Sequence, residues 1–153
     1  TLCSWWSSSK LVNRTKQRQK LNFEEKIKVV NKFLSNDFDT WAAISKHINA
    51  NPIYILQPCV NWHTKKLSKN EQYVMECQRE HLGSEYYDKL VSKKIYLEQK
   101  KFIKELCALN NISFYDANEW ISKLDEKDEV FIDSHHLTDF GNQYLANCIQ
   151  KII

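Results

Sequence analysis

The chain has 153 residues, enough for one domain with a sizeable core, and its 42% hydrophobic and 27% charged shares are ordinary for a globular protein. The net charge of +3 is mild, and the lysines lie among glutamates rather than in one block, so nucleic-acid binding has no support. No run approaches the ~18 consecutive apolar residues that cross a bilayer, and the N-terminus lacks the apolar centre of a signal peptide.

Five cysteines (Cys3, Cys59, Cys77, Cys107, Cys148) are scattered, odd in number and without a C-x-x-C pair. That pattern argues against a zinc ribbon or a disulfide framework and fits free thiols in a reducing, cytoplasmic setting. Gly83 and Gly141 are the only glycines, where average usage predicts roughly ten. Together with a first residue that is Thr1, this points to a fragment whose glycine- and turn-rich segment lies upstream.

In chain order, the first twenty residues hold Trp5, Trp6, Ser7-Ser8-Ser9 and a basic run, with no clear period. Asn22 caps a predicted helix whose first turn holds Glu24 and Glu25, where the helix dipole favours acids. Phe23, Ile27, Val30, Phe33 and Leu34 recur on one face. A second amphipathic segment carries Phe38, Trp41, Ala42, Ile44 and Ile48 and stops at Asn49-Ala50-Asn51-Pro52.

Ile53-Tyr54-Ile55-Leu56 is a short apolar run suited to a parallel strand covered on both faces. It leaves through Gln57-Pro58 into the loop Cys59-Val60-Asn61-Trp62-His63, at the strand end where open α/β sheets bind ligands. A long helix is predicted over roughly 84–110, with Tyr87, Leu90, Val91, Ile95, Phe102, Leu106 and Leu109 toward the core. Ile112–Asp116 reads as a second strand, and Val130-Phe131-Ile132 as a brief extended lead-in. The last helix starts near Thr138 and turns Phe140, Tyr144, Leu145, Cys148, Ile149 and Ile152 inward. This alternation predicts a single domain over 1–153 of the three-layer αβα class with a parallel sheet. Two strands are few for such a sheet, which again points upstream.

The segment FIDSHHLTDFGN carries an Asp-x-x-His pair, Asp133 and His136. A serine hydrolase needs a histidine base, and a carboxylate that fixes its tautomer and stabilises the imidazolium. Three-residue spacing on one turn lets the carboxylate fold back to Nδ1 while Nε2 stays available. Leu137 can anchor the turn and Thr138 can cap the following helix. The plainer alternatives are a carboxylate satisfying local backbone groups and a solvated histidine pair. His135 and His136 as metal ligands are disfavoured, because neighbouring side chains diverge and no further ligand sits at a supporting spacing. No cofactor is expected.

FIDSHHLTDFGNQYLANCI resembles the last block of the SGNH (GDSL-type) hydrolase superfamily, with Asp133, His136, Leu137, Thr138, Gly141 and Ala146 in the block's places. IYILQP is similar to that family's central strand. The resemblance spans residues 50–153 and is specific over the last twenty. It implies a flavodoxin-like fold, N-terminally truncated, with Asp133 and His136 as catalytic acid and base of a Ser-His-Asp triad, acting on a small-molecule or carbohydrate ester. The family's serine and oxyanion blocks have no counterpart: Ser4, Ser7, Ser8 and Ser9 lack a strand-to-helix turn, and Ser35-Asn36-Asp37, with no glycine before it, reads as helix capping. Those blocks are expected upstream, leaving this chain inactive by itself.

Asn61, Trp62, His63 and Tyr115 are candidate pocket-lining residues, with surface decoration as the alternative. Competing functions are an acyltransferase on the same fold, a non-catalytic α/β binding or scaffold domain, and a cysteine enzyme pairing Cys59 with His136.

Overall fold

The computed structural model of the chain describes residues 21–153. Trp5, Trp6, Cys3, Ser4 and Ser7–Ser9 lie outside the described residues. The chain falls into two compact units, one through Asp37 and one from Phe38 to Ile153.

Helix α1 covers Phe23–His47. Its start is a reciprocal cap: Asn22 Oδ1 accepts from the Glu25 amide at 2.8 Å, and the Asn22 amide donates to Glu25 Oε2 at 2.8 Å. The two predicted helical segments are therefore one helix. No glycine or proline interrupts them, and Ser35-Asn36-Asp37 lies mid-helix rather than at a terminus, with the Ser35 hydroxyl bonded back to the Asn31 carbonyl at 3.0 Å. The helix ends where Asn49 takes a left-handed φ of 54° and Pro52 follows.

In the second unit, strand β1 (Ile53–Leu56) pairs in parallel with β2 (Ser113–Asp116), Ile53 opposite Ser113 and Leu56 opposite Asp116. This is the predicted strand pair, and among the described residues the sheet has these two strands. Phe38 is buried and packs its ring 5.1 Å from Tyr54. Only Leu56 of β1 is fully buried, so the apolar run is covered less completely than its composition implies.

Between the strands lie α2 (Lys69–Leu82), α3 (Ser84–Leu90) and α4 (Lys93–Leu109). The first goes unpredicted, although Ser68-x-x-Glu71 is a capping-box sequence and forms one. The predicted single helix over 84–110 is two: Ser92 turns its hydroxyl to the Ile95 amide (3.3 Å) and starts a new helix after Val91. The buried line of α4 is Tyr96, Gln99, Ile103 and Cys107, a step around from the predicted face, and Leu109 is 79% exposed.

After β2, Asp116 caps the short α5 (Ala117–Ile121), and α6 (Asp139–Ile149) starts from Thr138 as predicted. The architecture is mixed α/β with a small parallel sheet. Val60, Met75, Tyr87, Val91, Ile121, Val130 and Phe131 form a core, against which Leu137 and Tyr144 pack. That core lies directly under the segment between α5 and α6, where the Asp-x-x-His pair sits.

Candidate functional site

Asp133 and His136 meet as their spacing predicts: His136 Nδ1 lies 2.6 Å from Asp133 Oδ2. The other carboxylate oxygen, Oδ1, accepts from the backbone amides of His135 (2.9 Å) and His136 (2.7 Å). Burial by itself would raise the Asp133 pKa. The two amides and the His136 ring outweigh it and draw the group down to about 2. The carboxylate is therefore ionised and can only accept, so the proton between the two side chains sits on Nδ1, and in the neutral ring the lone pair is on Nε2. That is the protonation state a general base requires.

The turn carrying the pair is fixed from several directions. Phe131 and Leu137 form an antiparallel bridge, closed by Ile132 N to the His136 carbonyl at 3.0 Å. Ser134 is 1% exposed; its amide donates to Gln78 Oε1 (2.9 Å) and its carbonyl accepts from Val60 N (2.9 Å). Gln57 Nε2 donates to the His135 carbonyl at 2.7 Å. The Thr138 hydroxyl donates to the Glu129 carbonyl and accepts from Gly141 N. A Cβ at Gly141 would stand 2.6 Å from the Val130 carbonyl oxygen, so helix α6 approaches the turn this closely only with glycine there.

The anchor beneath is Glu71, 1% exposed. Its Oε1 accepts from Val130 N (2.7 Å) and Phe131 N (3.0 Å), and its Oε2 from Lys65 Nζ (2.8 Å) and Ser68 N (2.7 Å). Burial opposes the charge on Glu71, but Lys65 and these amides hold its pKa below the ordinary carboxylate value. Asn118 does similar work at the strand end, accepting from Cys59 N and donating to the Gln57 carbonyl. Sequence reasoning misses Glu71, Gln78 and Asn118. Glu71 has a local signal in its capping box; Gln78 and Asn118 have none.

Beside the pair runs a groove of about 450 Å³. Ile55, Pro58, Ile132, Leu145 and Ile149 supply apolar walls, and His136 and Gln57 stand at its polar part. The predicted lining residues do not belong to it. Trp62 packs 5.4 Å from Tyr96, and Tyr115 packs 6.2 Å from Trp120. His63 is buried and stacked 5.2 Å from Phe131.

The surroundings of Cys59 work against a thiolate nucleophile. Burial, aided by the nearby Asp133 charge, pushes its thiol up to about 12, so it is protonated at neutral pH. Among the described residues no serine hydroxyl bonds the His136 ring; Ser134 Oγ instead lies 3.0 Å from His135 Nδ1. The structure thus brings an acid and a base together on a braced turn. No family model matches this chain, and no curated protein matches it.

Proposed function

We propose that this chain carries the acid–base half of an SGNH-type ester hydrolase site on a flavodoxin-like domain. A serine outside the described residues would complete the triad. The observation that carries the reading is the 2.6 Å contact of His136 Nδ1 with an Asp133 carboxylate held by two amides. The last-block sequence around the pair and the nearby C-terminal end of β1 support it.

In this mechanism His136 Nε2 takes the serine proton as the hydroxyl attacks the ester carbonyl. Asp133 stabilises the imidazolium, and the proton then passes to the leaving alcohol. Water repeats the sequence on the acyl-enzyme; a sugar hydroxyl in its place would give acyl transfer. The groove's apolar walls favour a substrate with an apolar part, of the small-molecule or carbohydrate ester class.

The test is hydrolysis of p-nitrophenyl acetate by the full-length polypeptide with its His136→Ala and Asp133→Asn variants. Each substitution is expected to lower kcat on the order of 10²- to 10⁴-fold. Equal activity in wild type and His136→Ala would remove the catalytic assignment.

A further inference from the structure

Adjacent histidines normally point apart, but this turn brings them together: the His135 and His136 ring centroids are 4.2 Å apart. Ligand atoms of Asp133, His135 and His136 all lie within 4.8 Å of one another. We propose that these three side chains form a binding site for a zinc-like divalent ion, and that its occupancy excludes the Asp133–His136 hydrogen bond.

Two imidazoles and one carboxylate are a donor set that borderline ions such as zinc favour, with remaining positions open to water. Bonds of ~2.0–2.2 Å in a tetrahedral site place ligand atoms ~3.3 Å apart. The His135 Nδ1 to Asp133 Oδ1 separation is already 3.6 Å. The Asp133–His136 contact, at 2.6 Å, is a hydrogen bond too short to admit an ion and must open by roughly 0.7 Å to reach that spacing. The two rings are 48% and 61% exposed, so they can turn at the cost of the 3.0 Å contact between Ser134 Oγ and His135 Nδ1 and of the Asp133–His136 bond. The His135 and His136 amides, at 2.9 and 2.7 Å from Oδ1, hold the Asp133 carboxylate toward the two rings as the third ligand. Bracing of the turn by Gln57, Gln78 and Val60 provides the preorganisation that an exposed cluster otherwise lacks.

The consequence is a switch. An ion on His136 Nδ1 drives the ring's proton to Nε2, which then donates and no longer serves as a base. This consequence rests on the proposed acid–base role; the ion binding does not.

The experiment is calorimetric titration of ZnCl₂ into the metal-free full chain, with long-range ¹H–¹⁵N spectra of the histidine rings. One equivalent is expected to shift the ring nitrogens of His135 and His136 together, leaving those of His47, His63 and His81 in place. His135→Gln and His136→Gln should each weaken binding at least tenfold, and Cys77→Ser, which removes an exposed competing thiol, should not. Ring signals that do not move in the unaltered protein, or loss of affinity only in Cys77→Ser, would overturn the site without reference to the folding of any variant. Zinc binding as described, in a full-length polypeptide that lacks esterase activity, would sustain the ion site and sink the acid–base reading. Esterase activity that depends on His136, with no zinc-induced shift, would do the reverse.

Discussion

Replacing Glu71 with alanine tests whether the candidate site is held from below. The change leaves the Lys65 ammonium, whose side chain is fully buried, without its counter-charge, and strips the Ser68, Val130 and Phe131 amides of their acceptor. A buried ion pair adds little net stability over a well-packed apolar pair, but removing one partner costs about 3–5 kcal/mol. Against a total of roughly 5–15 kcal/mol, that is a large share. With an m-value near ~2 kcal/mol/M, the urea midpoint should fall by about 2 M. Glu71→Gln separates the two halves of the anchor. Its carbonyl can still accept from Val130 and Phe131, while its NH₂ meets the Lys65 ammonium and the Ser68 amide, donor against donor. The glutamine variant should lose stability yet keep the Asp133–His136 ring signals, whereas the alanine variant should perturb both. Urea unfolding followed by tryptophan fluorescence, with histidine NMR, reads both outcomes. A loss under about 1 kcal/mol in Glu71→Ala, or an unchanged Asp133–His136 signature there, would refute the anchor.

Three further outcomes are expected. His63 is kept neutral chiefly by burial, with Lys65 adding to it, and its pKa falls from 6.5 to about 4. The unfolded chain binds this proton first, so the stability it supports is full above pH 6.5 and declines as pH falls toward 4, by up to about 3 kcal/mol. Thermal melts across that window should show the slope, and His63→Phe, which keeps the stacking on Phe131, should flatten it. Gly141→Ala forces its new methyl against the Val130 carbonyl oxygen and should cost about 1–3 kcal/mol in chemical unfolding; a neutral result would show that α6 can shift. Iodoacetamide at pH 8 should label exposed Cys77 well before Cys59, as peptide mass spectrometry would report; equal rates would contradict the burial of Cys59.

The sequence by itself determined what depends on neighbours within a turn. The Asn22 cap, the stop at Asn49–Pro52, the Thr138 cap and the fold-back of Asp133 onto His136 are all set by spacings of three or four residues. The parallel strand pair was legible too, because apolar runs bounded by turn residues mark strands whatever they pack on. Tertiary structure alone decided which distant polar side chains brace the site. Glu71 reaches Val130, Gln78 reaches Ser134, and Asn118 reaches Cys59, over separations of 56–60 residues that no periodicity encodes. It also decided the orientation of His135. Chain geometry turns neighbouring side chains apart, but the bridge between Phe131 and Leu137 bends the backbone so that both rings and the carboxylate converge. The local code wrote the pair, and long-range packing made it a cluster of three.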